Sequence, residues 1–209
     1  MADAVPLDPG EYSGTYKAIG GFLSLDFANL VSFRAGDRPH DWLAPAENLS
    51  HWAELFVGDP FERGWQPSAQ TVDQAIELRE RLATIFTEVA ASIAPNAQDL
   101  TEVAAAARRA WSHQELISVG PRVSWIFLPD HPLDCRLLDL LALDAVRLLT
   151  TDDLTRLRVC PGCGWVFVDK SPTRRRRWCD PADCGNRARQ RRHYRRTRHD
   201  DTDPRACEE

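Results

Sequence analysis

The apolar positions of this 209-residue chain recur mostly with the spacing of a helix. The longest such stretch, Ser68 to Ile93, predicts one helix whose apolar stripe comprises Val72, Ala75, Ile76, Leu82, Ala83, Phe86, Val89, Ala90 and Ile93, with Arg79 among them. Shorter stretches predict helices over Ala44–Phe56, Asp99–Trp111 and Pro132–Leu149. These four segments indicate a domain built mainly from helices.

Other segments of this domain lack the helical pattern. Glu115–Val119 and Arg122–Leu128 flank Gly120 and Pro121, and the alternation of apolar residues in the second segment predicts a β-hairpin. The apolar residues from Gly20 to Phe33 predict a buried segment, either a strand followed by a helix or one helix. Residues 1–18 contain Pro and Gly and predict a flexible, loosely ordered leader.

Four of the six cysteines form two close pairs, Cys160 with Cys163 and Cys179 with Cys184, separated by fifteen residues. Thiolates are soft ligands, and four of them at about 2.3 Å form the tetrahedral shell that a structural zinc ion prefers. Each pair can present two sulfurs from one local turn, so the ion has only one longer loop to close. The spacing therefore predicts one structural Zn²⁺ ion, with a disulfide cluster or four unrelated cysteines as the alternatives.

The residues around these cysteines predict a small zinc finger. Trp165–Asp169 is β-prone, Lys170–Thr173 predicts a turn, and Arg174–Trp178 can return as a second strand. Asn186–Arg198 contains no Pro or Gly and is rich in helix-forming residues. A zinc knuckle, here the turn Cys160–Gly164, is followed by a hairpin and by a helix that carries the last ligand. This arrangement is called a treble clef.

These elements predict an α+β protein with two domains. A predominantly helical N-terminal domain with a small β-hairpin is expected over residues 19–150, as a sensory or regulatory unit. A short polar connector, Thr150–Leu154, leads to a small treble-clef-like zinc finger over residues 156–199. An acidic tail over residues 200–209 follows.

Charge is distributed unevenly along the chain, although the formal net charge is only −5. Residues 1–155 carry 11 basic and 23 acidic side chains, whereas residues 156–199 carry 14 basic and 3 acidic ones. A compact basic segment of this kind is typical of a surface that binds a polyanion, even in a chain that is acidic as a whole.

The finger resembles the CGNR zinc finger family. The resemblance rests on Cys160-x2-Cys163-Gly-Trp, Arg-Arg-Trp178-Cys179, Cys184-Gly185-Asn186-Arg187 and the Arg-Arg-His193-Tyr194 tail. Upstream, the residues from Gly20 to Asn29 read GGFLSLDFAN and are similar to the opening of the ABATE domain, which usually precedes this finger. Membership of these families implies a bacterial transcription regulator that binds DNA.

The basic helix after Cys184 carries the candidate contacts with double-stranded DNA. Like charges four residues apart repel one another, and a helix that tolerates this repulsion generally meets a polyanion. The first exposed turns are candidates for base contacts, through Arg187, Arg189, Gln190 and Arg191. Candidates for phosphate contacts are Arg195, Arg196 and Arg198, with Arg192 completing the helix set and Arg174, Arg175, Arg176 and Arg177 adding contacts from the predicted hairpin.

Structural interpretations of these residues, without a contact to DNA, stay open. The basic helix can be a solvated face, or it can dock on the acidic N-terminal domain and hold the finger in an autoinhibited pose. Trp165 and Trp178 can shield the zinc ion and form the small core of the finger, or they can stack on bases. Cys135, in a Leu-rich helix, is expected to be a buried small hydrophobe.

Three polar residues of the N-terminal domain lie in apolar surroundings: Asp26, Asn29 and Arg79. Buried charge is tolerated when it is paired, so we expect Arg79 to meet Asp26. The pair would be either a structural ion pair or the polar end of a pocket for a small-molecule effector.

No catalytic signature stands out, since the chain has no Gly-rich phosphate loop, no Gly-x-Ser-x-Gly and no His-Glu-x-x-His. A non-enzymatic protein is therefore expected. No apolar run approaches the roughly 18 residues that span a membrane, and the N-terminus does not resemble a signal peptide, so we expect a cytoplasmic, nucleoid-associated protein. The rival interpretations are a zinc-stabilised protein-interaction module, an RNA-binding module and an N-terminal domain with small-molecule activity; homodimer formation stays open.

Overall fold

The computed structural model describes residues 4–59, 61 and 64–200, with the backbone alone for Val119 and residues 198–200. Six α-helices dominate this part of the chain: α1 Leu23–Ala28, α2 Glu47–Phe56, α3 Ala69–Ala90, α4 Ala97–Ser112, α5 Leu133–Leu149 and α6 Cys184–Asp200. A 3-10 helix at Asp152–Arg156 occupies most of the predicted connector. None of the helices in the described residues is both long and apolar enough to cross a membrane.

Short antiparallel strand pairs complete the described residues. They are β1 Ala4–Val5 with β2 Tyr16–Lys17, β3 Val31–Ser32 with β4 His40–Asp41, β5 Gln114–Val119 with β6 Arg122–Phe127, and β7 Leu157–Val159 with β8 Val166–Val168. The predicted α+β class is confirmed. Between Gly20 and Phe33 the chain forms α1 and then β3, neither of the two arrangements expected.

The long helix α3 lies at the centre of the N-terminal domain. The Ser68 side chain caps it by accepting the Thr71 N–H at 3.2 Å, which satisfies a free donor of the first turn. Its stripe is buried through Ala75, Leu82 and Phe86, each 0% exposed, and it packs on α1, α5 and β7. Apolar spacing therefore located the element that organises this domain.

The finger is not a separate globule, because it shares two hydrophobic clusters with the N-terminal domain. Val166 and Val168 pack in one cluster with Leu82 and Phe86 of α3. Phe167, on the opposite face of β8, belongs to a second cluster that also contains the four cysteines of the two pairs. The alternation of β8 thus places finger side chains in both cores.

Part of the predicted leader is packed. Leu7 is 5% exposed and Tyr16 is 0% exposed, and the Tyr16 hydroxyl donates to the Asp26 carbonyl at 2.5 Å. The expectation of a loose leader is therefore wrong for residues 4–18, since an aromatic side chain in this segment fills the core. Residues 1–3 and residues 201–209 of the acidic tail lie outside the described residues.

The predicted return strand at Arg174–Trp178 is also wrong. The partner of β8 is β7, which precedes the first cysteine, with Leu157 opposite Val168 and Val159 opposite Val166. Residues 174–178 form a loop instead, because the Asp169 carboxylate accepts the backbone N–H groups of Ser171 and Arg176, both at 2.9 Å. An aspartate that holds two backbone donors in this way competes with a strand ladder.

A candidate zinc centre beside a basic helix

The four predicted ligands converge on one point. Cys160 follows β7, Cys163 closes the knuckle, Cys179 ends the loop after β8, and Cys184 opens α6. The knuckle is closed by backbone hydrogen bonds from the Cys160 N–H to the Trp165 carbonyl at 2.8 Å and from the Gly164 N–H to the Cys160 carbonyl at 2.9 Å. Gly164 adopts a φ of 80°, which a residue without a Cβ adopts readily.

The distances between the sulfurs suit one tetrahedral ion. Cys163 Sγ lies 3.4 Å from Cys179 Sγ, which lies 3.7 Å from Cys184 Sγ, and all four sulfurs lie within 4.8 Å of one another. Sulfurs at about 2.3 Å from a zinc ion in a tetrahedron are separated by about 3.8 Å. Each cysteine is at most 4% exposed. The set therefore fits one zinc ion with a closed shell.

The proton chemistry of the cluster favours a cation. The thiols share protons: hydrogen bonding, with Cys163 first, lowers the pKa of Cys160, whereas hydrogen bonding with Cys160 raises the pKa of both Cys163 and Cys179. Four buried thiols at this distance cannot all ionise without a positive charge between them, whereas Zn²⁺ stabilises the thiolates that it binds. The donor set of four sulfurs is the one that a structural zinc site uses.

Donors around the cluster stabilise the sulfurs. The Gly162 N–H donates to Cys160 Sγ at 3.4 Å, and the Arg187 guanidinium donates to Cys184 Sγ at 3.3 Å. Arg187 also meets Asp183 at 3.2 Å and lies over the Phe33 ring at 5.4 Å from its centre. The first turn of α6 is thereby fixed on the metal centre.

The N-terminal domain holds the finger through polar contacts. Asn29 donates to the Val166 carbonyl and accepts the Val166 N–H, both at 2.9 Å, so it pairs with β8 as a strand residue would. Trp165, 6% exposed, donates to the Val31 carbonyl at 3.1 Å. The Phe33 N–H donates to the Cys163 carbonyl at 2.7 Å. The metal centre is therefore built against α1 and β3.

A lysine that sequence reasoning missed adds to these contacts. Lys17 Nζ lies 2.8 Å from Asp180 Oδ2, next to the ligand Cys179, although the two partners are 163 positions apart in the sequence. The hydrogen bond with Asp180 is the main cause that raises the pKa of Lys17. The sequence carries no signal of this contact, because Lys17 lies in a segment predicted to be loose. The contact depends on the burial of the neighbouring Tyr16, which fixes the backbone of Lys17.

The predicted partner of Arg79 is wrong. Arg79, 2% exposed, forms a bidentate pair with Asp41 at 2.5 and 2.9 Å and also contacts Glu80. Asp26 instead accepts the Gly20 N–H at 2.7 Å, and burial raises its pKa to about 6. An ion pair thus joins α3 to β4, while Asp26 orders the turn before α1 and Asn29 holds the finger.

Several predicted DNA-contacting residues have partners within the chain. Arg176 lies over the Phe167 ring at 4.7 Å and donates to the Trp178 carbonyl at 3.0 Å and to the Cys179 carbonyl. Arg177 lies over the Trp178 ring, 5.1 Å from its centre. Like Arg187, Arg176 has a structural role beside the ligands. Arg189 donates to the Asn186 side chain at 3.3 Å.

The remaining candidates lie at the surface. Residues 189–197 of α6 are all exposed, including Gln190, Arg191, Arg192, His193, Arg195 and Arg196. Arg174 and Arg175 are exposed in the loop, and the Arg198 side chain lies outside what the structure describes. A groove of about 260 Å³ runs between α6 and the loop and is lined by Arg177, Trp178, Ala188, Arg191, Arg192 and Arg195.

A four-cysteine centre of this kind, at the start of a basic helix, defines a small zinc finger. The family model of the CGNR zinc finger matches residues 156–197. Residues 21–152, more than half of the chain, match the model of the ABATE family, described as "Putative stress-induced transcription regulator". The protein therefore belongs to the ABATE family and carries a CGNR zinc finger after that domain. A search of curated proteins found no match to this chain.

Proposed function

We propose that this protein is a zinc-dependent transcription regulator whose helix α6 binds double-stranded DNA. The observation that carries the proposal is the exposure of α6: Cys184 and Gly185 are buried in its first turn, whereas residues 189–197 are all exposed. A helix that packed on the body of the protein would bury an apolar stripe. Instead, the first turn of this helix is fixed at the zinc centre, and the rest of the helix presents an arginine-rich surface to solvent.

The chemistry of that surface suits a phosphate backbone. Arg191, Arg192 and Arg195 line one groove with Arg177 and Trp178. A guanidinium group forms bidentate contacts with phosphate and with the O6 and N7 atoms of guanine. The structural zinc ion would have no open coordination position, so we assign it a role in folding and none in catalysis.

Fluorescence anisotropy with a labelled DNA duplex tests this proposal. The metal-loaded full chain is titrated at several NaCl concentrations, and log K is expected to fall steeply with log[salt]. The double variant Arg191→Ala with Arg195→Ala should make that slope shallower by about 0.9 for each phosphate contact removed. Arg108→Ala, at an exposed position of α4, is the matched control and should leave the slope unchanged.

The same measurements can refute DNA binding. The role of α6 would be contradicted if the natural chain bound duplex DNA no more tightly than the double variant. Binding whose affinity does not depend on salt would contradict it as well. Selection from random duplexes separates regulation from non-specific binding, because only a regulator enriches particular sequences. Tighter binding to structured RNA than to duplex DNA would favour the RNA-binding alternative.

We further propose that the N-terminal domain senses a small molecule. The support is a cavity of about 540 Å³ between α2 and the segment before α3, where His51 and Glu47 face the aromatic side chains of Phe61 and Trp65. Cavities that combine aromatic walls with a few polar groups are typical of small-molecule sites. A thermal-shift screen tests this: a bound compound should raise the melting temperature and change the DNA affinity, and a compound that binds there without changing that affinity would contradict sensing.

A further inference from the structure

A second group of metal-ligating side chains lies where α4, the β5–β6 hairpin and α5 meet. His113 follows the last residue of α4, His131 lies in the turn before α5, and Asp139 lies in the second turn of α5. His131 Nε2 is 2.8 Å from Asp139 Oδ2, and His113 Nδ1 is 3.9 Å from the same oxygen. The three ligand atoms all lie within 4.8 Å of one another.

The framework of this cluster is held by backbone contacts. The Leu128 N–H donates to the His113 carbonyl at 2.9 Å, and the Arg136 side chain donates to the His131 carbonyl at 2.7 Å. The His131 ring, in a residue 7% exposed, stacks on Phe127 at 5.2 Å and on His113 at 4.3 Å. These contacts hold the His131 ring in place. The two imidazole rings lie only 16° from parallel, so the His113 ring must turn for both nitrogens to point at one ion.

One nitrogen of the cluster lacks a partner. His113 Nδ1 is a buried atom without a hydrogen bond among the described residues. A buried polar atom is seldom left unpaired, since it forfeits its interaction with water. This nitrogen faces the carboxylate at 3.9 Å, too far for a hydrogen bond and close enough for both atoms to bind one ion.

We propose that His113, His131 and Asp139 form a binding site for a divalent first-row transition-metal ion. Two imidazoles and one carboxylate are the ligands that such ions take when no thiolate is present. With bonds of about 2.1 Å, ligand atoms are separated by about 3.0 Å around an octahedral ion and about 3.4 Å around a tetrahedral one. The distances of 2.8 and 3.9 Å in the structure bracket these values, and the His113 side chain, 44% exposed, can rotate to shorten the longer one.

This site differs in kind from the zinc centre of the finger. Three protein ligands leave at least one coordination position open, as sites that exchange or activate ligands require. Asp139 also lines a cleft of about 430 Å³, together with Cys135 and Arg109, which gives an ion access to solvent and to small molecules. Cys135 is exposed there, so the expectation of a buried thiol is wrong. The proposal is independent of DNA binding by α6.

Cobalt(II) is the probe of choice, since its spectrum reports the ligand type. The full chain, free of any affinity tag, is first loaded with one Zn²⁺, which the four thiolates bind more tightly than Co²⁺. Equilibrium dialysis against Co²⁺ should then show one further ion per chain. Its visible ligand-field bands should come without a thiolate-to-cobalt charge-transfer band.

Two variants assign that ion to the cluster. His113→Ala removes a partly exposed ligand, and Asp139→Asn keeps the shape of the side chain; each should weaken Co²⁺ binding at least about tenfold. Asp73→Asn, the same substitution at an exposed position of α3, is the control and should bind Co²⁺ as the natural chain does. If Asp139→Asn fails to fold by circular dichroism, His113→Ala decides alone.

Three outcomes would overturn the proposal. They are the absence of a second ion, a thiolate charge-transfer band that persists in Cys135→Ser and so places cobalt on the finger cysteines, and unchanged affinity in His113→Ala. Any of them would leave the cluster as a hydrogen-bonded His131–Asp139 pair with a stacked imidazole.

Discussion

Removal of the zinc ion is expected to unfold the whole chain in one transition. Trp165, Val166, Phe167 and Val168 are each at most 6% exposed and lie in clusters shared with the N-terminal domain. Burial of one such side chain contributes about 1.5 to 3 kcal/mol, so the four contribute about 6 to 12 kcal/mol. A domain is stable by only about 5 to 15 kcal/mol, so a loss of this size is comparable with its whole stability, and we expect the N-terminal domain not to stay folded without this packing.

Calorimetry under reducing conditions tests this expectation. One sample is heated with excess zinc and another with a strong chelator. Tryptophan fluorescence is recorded in parallel, and its signal includes Trp52 of α2 and Trp165 of the finger. Cys184→Ser should reproduce the effect of the chelator without removing metal from any other site, whereas Cys135→Ser, outside the finger, should behave as the natural chain does. A transition that persists at an unchanged melting temperature after chelation would show that the N-terminal domain folds alone and would refute the shared-core argument.

Three further substitutions test the contacts that replace the predicted ones. Asn29→Ala removes two hydrogen bonds to Val166 and leaves its buried backbone groups unpaired, so urea unfolding should show a loss of about 2 to 4 kcal/mol; an unchanged stability would contradict the strand-like pairing. Burial raises the pKa of Asp26 from 3.8 to about 6, so the folded state binds its proton more tightly than the unfolded chain does, and stability should fall as pH rises from about 4 to 6 by roughly 3 kcal/mol. Asp26→Asn should remove that part of the pH dependence, and an identical profile in the variant would assign it to other groups. Asp41→Ala leaves the buried guanidinium of Arg79 without its bidentate partner and should cost about 3 kcal/mol, more than Arg79→Met does; the reverse order in thermal unfolding would contradict the pair.

Local patterns were enough to predict the helices and the metal ligands. The stripe of α3 repeats over six turns, so it reports a helix without any knowledge of its neighbours. The cysteine pairs are similarly local, because each pair spans one turn and only the loop between them must close. The strand β7 was missed although Leu157 and Val159 alternate immediately before Cys160, a signal that was present in the sequence.

Contacts between distant segments could not be predicted in the same way. Asp26 and Asp41 both precede α3 and are equally plausible partners for Arg79 by charge, and only the placement of β4 beside α3 selects Asp41. The contacts that Arg176 and Arg187 make within the chain could not be predicted for a related reason. In a run of arginines, sequence alone does not show which guanidinium groups face the ligands and which face solvent.

These contacts bear on how the N-terminal domain can act on α6. Masking of the basic helix by the acidic domain requires α6 to fold back, yet residues 189–197 are exposed in this structure. The first turn of α6 is held by the Arg187 guanidinium, which lies over the Phe33 ring. The adjacent knuckle is held by a hydrogen bond from the Phe33 N–H to the Cys163 carbonyl. Phe33 adopts a φ of 59°, which costs energy for an aromatic residue and persists only when its surroundings enforce it. A change in the N-terminal domain that released Phe33 would therefore alter the first turn of α6 directly, so control through this contact needs no movement of the acidic surface.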